Sequence, residues 1–528
     1  GVCCMIQCKA DMVLKGAAFF YGRKDAGYRV KDINFVAVKD GRIVGIGKEG
    51  EDADFTGPDT KVYEFTKDRL IMPGIHDNHV HLLQAGMLSK YADLYSARTE
   101  EEAVAMAKEY ADAHPDDKWI IGIGWSKYAF KGLPNKKSID AVISDRPVML
   151  MDDELHSAWV NTAALEIAGI TNETPDPDYG EIQRDENGEA TGFLYETALS
   201  IAARIAFDFT DEQVEELVST YMEKALRYGI TSITDMTPYL GIDLSYMNAY
   251  LKMAKEDKLK IRINAALDLF ADIKDVTAKR AKAEAEGNGF YRIPFLKQFV
   301  DGVPGNHTAM MLEDYSDRPG EKGGALLDLD KLNDAIEAAH LHGMSVRLHA
   351  CGDAAVRAAL DGYENAIIRH GRGTSRHQVE HIEVIDPADI ERFAKAGIMA
   401  SVQPEHVVSG MPSFADNNYP EILGPERTKY TWVFRQLLDT GAVLAGGSDC
   451  PVVEGSPFAG IYSGLERLHD DGTPEGGWNP QEKLTIEELL EIYTYGAAYG
   501  EGLENQIGTL GEGMIADIVV LDRNLLDV

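Results

Sequence analysis

The stretch Pro73-Gly74-Ile75-His76-Asp77-Asn78-His79-Val80-His81 decides the fold of this chain. With the apolar residues before it, the stretch predicts a buried β-strand over Ile71–His79. Side chains two residues apart on a strand point the same way, so His79 and His81 can hold one metal ion. With 14 histidines in 528 residues, however, about 0.4 such pairs are expected by chance. The pair therefore needs support from the rest of the chain.

Seven further strand candidates follow the first one. They are Thr231–Met236, Ile261–Leu267, Ile293–Asp301, Ser345–Ala350, His377–Ile382, Ile398–Gln403 and Val443–Asp449. The helix-like segments between them include Asp211–Tyr228, Leu329–His342, Asp353–Arg369 and Thr428–Thr440. Alternating short strands and longer helices are typical of parallel sheets. Eight such units fit a closed barrel better than an open sheet, so the predicted fold class is α/β, a (β/α)8 TIM barrel.

More residues of the metal-ligand type stand at the ends of these strands. His349 closes the fifth candidate, His381 the sixth and Asp449 the eighth. Barrel enzymes assemble their catalytic groups at this carboxyl-terminal face. The pair His340 and His342 lies instead at a helix end that precedes a strand, so we expect no metal there. Because these other ligand-type residues also stand at strand ends, His79 and His81 are better explained as metal ligands than as a chance pair.

Two regions lie outside the count of barrel strands. The β-like runs near both chain ends predict a composite β-sandwich domain built from residues 1–70 and 485–528. The barrel then occupies 71–484. Within it, residues 83–230 separate the first two strands, and a loop of that length needs its own fold. We therefore predict an inserted α/β subdomain over the barrel mouth.

Composition and charge narrow the partners and the compartment. The net charge of −35 repels phosphate backbones and anionic lipids, so neither nucleic acid nor a membrane surface is an expected partner. No apolar run reaches the length of a membrane span, and Gly1–Ala10 lacks the features of a signal peptide. Five cysteines without a disulfide framework favour a cytoplasmic location. The expected partner is a small-molecule substrate, and a homodimer is left open.

Several motifs carry a resemblance to a known family. Pro-Gly-(x)4-His-x-His, His349 before Gly352-Asp353-Ala354-Ala355, Glu380-His381 and Gly447-Ser448-Asp449 look like the metal-site signature of the amidohydrolase superfamily. Within it, four markers resemble amidohydrolase family 3, the YtcJ-like group: Gly122-x-Gly124-Trp125, His156-x-x-Trp159-Val160-Asn161, Thr191-Gly192-x-Leu194-x-Glu196 and Ser401-Val402-Gln403-Pro404. These motifs occur in order and cover most of residues 12–522. The resemblance implies a metal-dependent hydrolase.

The resemblance also directs attention to Lys297, in the fourth strand candidate. In similar enzymes a lysine at this place is carboxylated by CO2, and the carbamate bridges two metal ions. A carbamate supplies two anionic oxygens, whereas a plain ammonium would be repelled by a dication. The implied binuclear site is His79, His81 and Asp449 on one ion and His349 and His381 on the other, bridged by carboxylated Lys297.

This ligand set implies a chemistry and a cofactor. Zinc fits imidazole and carboxylate ligands best, although manganese, iron or nickel fit the same set. The resemblance implies cleavage of a C–N bond by metal-activated hydroxide, with Asp449 carrying the proton to the leaving nitrogen. The leading substrate class is a non-peptide amide, such as an N-substituted formamide or an N-acyl compound.

Four residues are candidate substrate contacts: Trp125, His156, His307 and His406. His156 would reach down from the inserted subdomain. His307 follows the lysine strand, where similar proteins carry Ser-Leu-Gly-Ser-Arg-Thr, so the arginine of that pattern is absent here.

The cysteines are not expected to take part in the chemistry. Cys3, Cys4 and Cys8 lack partner ligands at the spacing of a metal site. Cys351 and Cys450 each follow a site residue, so they are expected to point the opposite way.

Two other functions are considered beside amide hydrolysis. Deaminases of the superfamily typically lack the lysine and carry a glutamate three residues after the fifth-strand histidine, where this chain has Gly352. A catalytically silent binding protein would have lost ligands, yet all six are present. Both alternatives are therefore disfavoured.

Overall fold

Eight parallel strands form the centre of the molecule. The computed structural model describes residues 9–23, 32–130 and 132–528. The eight strands pair in the order of the sequence: Ile75–Val80, Ile230–Asp235, Arg262–Asp268, Tyr291–Phe299, Ser345–Ala350, Gln378–His381, Met399–Val402 and Leu444–Gly446. We number them as the first to eighth barrel strands. The predicted α/β fold with a parallel eight-stranded barrel is confirmed.

The first and eighth barrel strands meet just beyond their carboxyl ends. The Asp449 N–H donates to His79 O at 2.7 Å, and the His81 N–H donates to Cys450 O at 2.9 Å. These backbone bonds nearly close the barrel. They also bring the first H-x-H motif against Asp449, although 370 positions separate them in the chain.

The helices of the barrel follow its strands along the chain, and the last three come after the eighth strand. They are Leu82–Lys90, Asp211–Arg227, Met247–Lys255, Ile273–Glu286, Leu329–Leu341, Asp353–His370, Pro387–Ala396, Tyr419–Arg427, Phe434–Asp439, Pro457–Glu466, Ile486–Ile492 and Tyr495–Gly500. Polar caps begin several of them. The Asp328 side chain, for example, accepts hydrogen bonds from two N–H groups of the first turn of Leu329–Leu341. The predicted helix Thr428–Thr440 is wrong in its first half, where a 3-10 turn and extended residues precede Phe434–Asp439.

The predicted first strand, Ile71–His79, belongs to two sheets rather than one. Leu70–Pro73 pairs with Ile518–Leu521 near the C-terminus, whereas Ile75–Val80 enters the barrel. The chain crosses between them at Gly74, where a Cβ would lie 2.2 Å from Thr231 Oγ1. Sequence pattern alone missed this break because both sheets bury the strand on each side, so the apolar run continues across it.

The chain ends form two small sheets beside the barrel. One contains Arg42–Gly47, Phe35–Lys39, Met12–Lys15 and Lys61–Glu64, and the other contains Ala18–Phe19, Leu70–Pro73 and Ile518–Leu521. The two short helices Ile486–Ile492 and Tyr495–Gly500 pack against the eighth barrel strand. The division into a sandwich domain of 1–70 and 485–528, a barrel of 71–484 and an insert of 83–230 stays a prediction.

The segment between the first two barrel strands has a sheet of its own. Its six strands lie in the order Gly180–Arg184, Ala190–Glu196, Ser157–Val160, Val148–Asp152, Ile120–Trp125 and Ala92–Asp93. Its helices are Glu100–Ala113, Lys127–Phe130, Lys136–Asp140, Thr162–Ala168 and Leu199–Ala206. Residues of this segment form part of the wall of the cavity described below. Across the described part of the chain, no helix is long and apolar enough to cross a membrane.

Candidate metal centre and its cavity

Four of the predicted ligands converge at the carboxyl end of the barrel. His79 Nε2 and His81 Nε2 each lie 3.2 Å from Asp449 Oδ1. His381 Nδ1 lies 4.0 Å from the other carboxylate oxygen of Asp449. Two ligands that share a tetrahedral zinc ion at about 2.0–2.1 Å are separated by about 3.3 Å. The spacing of His79 and His81 from Asp449 therefore suits a shared divalent ion, and His381 lies farther out.

Neighbouring acceptors orient the histidine rings. His79 Nδ1 lies 2.6 Å from Glu380 Oε2, and His381 Nδ1 lies 2.8 Å from Gln403 Oε1. His349 Nε2 lies 2.8 Å from the carbonyl oxygen of Gly302. In each case the nitrogen facing the acceptor carries the proton, and the other ring nitrogen keeps its lone pair. This is how metal-binding histidines are usually held.

Several buried polar atoms at this point lack a hydrogen bond from any described residue. They are His79 Nε2, Asp449 Oδ1, Lys297 Nζ and His406 Nε2. The 3.2 Å approach of His79 to Asp449 thus lacks hydrogen-bond geometry. A buried polar atom without a partner is costly, and such groups are uncommon in folded proteins. A divalent metal ion would satisfy the histidine nitrogen and the Asp449 oxygen, so these residues fit the ion that the sequence implies.

Lys297 lies inside the barrel, among these groups. Its Nζ is buried without a hydrogen bond to a described residue, and it sits 4.7 Å from the centre of the Phe299 ring. Burial lowers the pKa of Lys297 to about 8, although Glu380 and Asp449 act to raise it. A sizeable fraction of the amine is therefore neutral near physiological pH. The neutral amine is the form that reacts with CO2.

His349 is close to the other ligands but turned partly away from them. Its ring centre lies 4.6 Å from that of His381. Its Nε2, held at Gly302 O, also lies 3.4 Å from Cys351 Sγ and 3.7 Å from Asp301 Oδ1. The expectation that Cys351 points away from the site is wrong, since Cys351 also lines the cavity. Cys351 stands two positions after His349 rather than next to it, and residues two apart on an extended backbone point the same way.

Two of the ligand candidates have a strained backbone. His381 has a φ of 75° and Asp449 a φ of 62°. Non-glycine residues rarely adopt this left-handed region, and such outliers are concentrated at functional sites. For Asp449, burial raises the pKa, but the adjacent His79 and His81 outweigh it and hold the pKa well below its usual value. The carboxylate is therefore ionised at neutral pH.

Glu380 is the carboxylate that orients His79, a role that its place in the Glu380-His381 motif does not predict. Exchange of Glu380 for glutamine should weaken metal binding by roughly 10–100-fold, as is typical for the outer partner of a metal-binding histidine. Metal titration of the apoprotein, followed by dialysis and elemental analysis, measures this loss. Unchanged affinity in Glu380→Gln would show that His79 needs no orientation by this carboxylate.

A cavity of about 780 Å3 opens above the metal centre. Among the predicted ligands, His81, His349, His381 and Asp449 line it. Two of the expected substrate contacts, His156 and His406, line it as well. His156 Nδ1 lies 2.7 Å from Glu196 Oε2, and although burial lowers the pKa of His156, this carboxylate raises it to about 9.

The other two expected substrate contacts do not reach this cavity. Trp125 is fully buried in the core of the insert, where its Nε1 donates to Leu150 O at 2.8 Å. His307 lies in a neighbouring cavity and its Nε2 is 2.8 Å from Asp317 Oδ2. Cys3, Cys4 and Cys8 lie outside the described residues. Sequence position was a poor guide for Trp125, which ends a fully buried strand of the insert, and for His307, whose direction is set by its loop.

Comparison with known proteins agrees with this site. The chain matches the amidohydrolase family over residues 66–528. It is 31% identical over 512 residues to the putative amidohydrolase YtcJ of Bacillus subtilis (strain 168), covering 95% of this chain and 93% of that protein. It is 25% identical over 513 residues to the N-substituted formamide deformylase of Arthrobacter pascens, covering 93% and 90%. An uncharacterized metal-dependent hydrolase from Pyrococcus horikoshii OT3 has the same fold, with a TM-score of 0.77, 24% identity and 98% of both chains covered.

The family match covers most of the chain and includes every predicted metal ligand. The predicted YtcJ-like relationship is confirmed, and the alternative of a catalytically silent binding protein is not supported. The predicted ligands at the carboxyl end of the barrel are the residues that could bind a divalent metal ion. This chain therefore belongs to the amidohydrolase family and is a metal-dependent hydrolase that acts on carbon–nitrogen bonds.

Proposed function

We propose that this enzyme hydrolyses a non-peptide amide, such as an N-substituted formamide or another N-acyl compound, to an amine and a carboxylic acid. One observation carries the proposal: the unpartnered carboxylate oxygen of Asp449, 3.2 Å from both His79 and His81, stands at the wall of a cavity large enough for a small molecule. The similarity to a formamide deformylase along nearly the whole chain supports the same reaction class.

We assign the metal ligands as the sequence predicts them: His79, His81, Lys297, His349, His381 and Asp449. Zinc suits this set of nitrogen and oxygen donors best. A bound divalent ion lowers the pKa of water and polarises a carbonyl oxygen. Carboxylation of Lys297 would remove the positive charge that otherwise stands among the ligands, and would supply bridging oxygens for two ions.

The remaining steps belong to the side chains of the protein. The Asp449 carboxylate accepts a proton from the attacking water and delivers it to the leaving nitrogen, which must be protonated before the C–N bond breaks. The His156 ring, held by Glu196, stands across the cavity with its centre 5.1 Å from that of His349. There it is placed to donate a hydrogen bond to the substrate as the carbonyl oxygen becomes negative.

Deamination is the less suitable reaction for this site. A Cβ at position 352 would lie 2.1 Å from Met310 O, so the backbone leaves no room for the glutamate that deaminases place there. The Gly352 N–H also donates to Asp301 Oδ2 at 2.9 Å, which ties this turn to the barrel.

Metal dependence is the first test of the proposal. We expect one to two divalent ions per chain, with activity toward N-substituted formamides lost on chelation and restored by zinc. Elemental analysis and product-amine assays before and after chelation measure this. Ammonia release from aminopurines or aminopyrimidines, without amide hydrolysis by the metal-loaded enzyme, would favour a deaminase instead.

A further inference from the structure

The wall of the active-site cavity is strongly acidic. Eight carboxylates line it: Asp153, Glu154, Glu383, Glu405, Asp416, Asp449, Glu454 and Asp470. Arg98 is the one lysine or arginine on the cavity wall among the described residues, and its side chain is exposed. A cavity lined by one sign of charge attracts ligands of the opposite sign.

Only part of this negative charge is balanced by the protein. Lys127 Nζ lies 2.6 Å from Glu154, and Lys224 Nζ lies 3.0 Å from Glu454. Asp449 faces the histidines of the metal centre. The other carboxylates of the wall form no ion pair with a described lysine or arginine. Five of the eight carboxyl groups, Glu383 among them, therefore have no lysine or arginine of the described residues beside them.

Glu383 is the carboxylate best built to receive a cation. It is only 7% exposed and lines the cavity two residues beyond His381. Tyr419 OH donates to Glu383 Oε2 at 2.6 Å, while no described residue forms a hydrogen bond or ion pair with Oε1. An ammonium group at this oxygen would complete the bonding of the carboxylate.

Aromatic rings stand beside this carboxylate. The centre of the Tyr419 ring lies 4.9 Å from that of Trp432, which is 2% exposed and also lines the cavity. The faces of such rings attract ammonium groups. Nearer the metal centre, His406 is 9% exposed and its Nε2 has no hydrogen-bond partner among the described residues. The cavity thus offers His406 as a polar contact near the metal centre. Elsewhere on its wall it offers Glu383 with two aromatic rings beside it.

The same wall is unsuited to an anionic substrate. His307, which follows the lysine strand, faces a different cavity and is bonded to Asp317. The exposed Arg98 donates to the carbonyl oxygen of Tyr95. A substrate carboxylate would therefore meet unpaired acidic groups without a buried lysine or arginine to bind it, which disfavours N-acyl amino acids within the proposed class.

Building on the amide hydrolysis proposed above, we propose that the substrate is a cationic amide. It would be an N-formyl or N-acyl compound with a free ammonium group, which Glu383 binds beside Tyr419 and Trp432. The metal centre would act on the amide at one end of the molecule while the ammonium group fixes the other. Glu383 is then a specificity-determining residue rather than part of the hydrolytic machinery.

Three formamides of similar length test this inference: aminopentyl formamide, hexyl formamide and formyl-aminohexanoate. We expect kcat/KM for the cationic compound to exceed that of the neutral one by roughly 10–100-fold, the range expected for a hydrogen bond to a charged group. The anionic compound should be the poorest of the three. Equal kcat/KM for the cationic and neutral compounds would overturn the inference and leave the proposed function intact.

A matched pair of variants assigns the preference to Glu383. Glu383→Gln keeps an acceptor for Tyr419 and should lower kcat/KM for the cationic formamide by roughly 10–100-fold, with little change for the neutral one. Glu391→Gln removes the same charge from the outer surface and should change neither. A loss shared by both substrates in Glu383→Gln, at unchanged metal content, would overturn the assignment.

Binding of diaminopentane, measured by calorimetry, separates the two proposals because it needs no turnover. We expect binding to the metal-loaded wild-type enzyme and at least tenfold weaker binding to Glu383→Gln. If no formamide is hydrolysed but the diamine binds in this Glu383-dependent manner, the proposed function fails and the cation site stands. Equal or absent binding in both proteins would overturn the cation site.

Discussion

Lys297→Ala should lose one or both metal ions and most of the hydrolytic activity. The loss should exceed the roughly 10–100-fold that removal of an outer partner costs, because a ligand itself is removed. The fully buried Nζ of Lys297 has no hydrogen-bonding partner among the described residues, and an isolated ammonium in such a place is unfavourable. The proposed carboxylation would resolve this because it would convert the cation into an anion able to bind metal. Elemental analysis and turnover of a formamide measure both losses.

Short carboxylic acids provide the sharper part of this experiment. In Lys297→Ala, formate, acetate or propionate can occupy the space of the carbamate, and should partly restore both metal content and turnover. Lys297→Met fills the same space with an apolar chain and should not respond to the acids. A fully active Lys297→Met enzyme with its full metal content would show that the lysine is neither a ligand nor carboxylated.

Asp449→Asn should keep the fold and much of the metal but lower turnover by roughly 10²-fold or more, as expected when a positioned proton carrier is lost. The amide can still place an oxygen near His79 and His81, but it cannot accept and return a proton. The measurement is kcat at matched metal occupancy. For a substrate whose leaving amine needs less protonation, such as an anilide, kcat of Asp449→Asn should fall by a smaller factor.

Asp268→Asn is the matched control for that variant. Asp268 also closes a barrel strand, but it is not among the residues that line the cavity, and its Oδ1 accepts the N–H of Phe270. The turnover of the Asp268→Asn enzyme should stay close to that of the wild type. If fully metallated Asp449→Asn also turned over at nearly the wild-type rate, Asp449 would not be the proton carrier.

Much of the barrel was predictable because its signals are local. Each parallel strand is buried on both faces and so leaves a short apolar run, and the helices between strands leave a longer amphipathic one. The ligand candidates were predictable for a related reason. His349, His381 and Asp449 stand at strand ends, and all strands of a parallel barrel end at one face.

The residues around those ligands were not predictable in the same way. Glu380 shares a motif with His381, but only the curvature of the barrel brings its carboxylate to His79, 301 positions away on a strand with which it does not pair. Glu383 and Tyr419 likewise meet across 36 positions that include the seventh strand. Trp125 is the reverse case. Its place in the motif Gly122-x-Gly124-Trp125 predicted a substrate contact, but the side chain packs in the core of the insert.

By itself, then, the sequence determined the parallel barrel, the family and the residues able to hold a metal, because these depend on periodicity, on strand ends and on the types of ligand. Only the tertiary structure decided that the first apolar run divides at Gly74 between two sheets, that Cys351 faces the cavity, and that the cavity wall is acidic beside Glu383. Those properties depend on loop directions and on contacts between residues far apart in the chain, for which one sequence carries no local pattern.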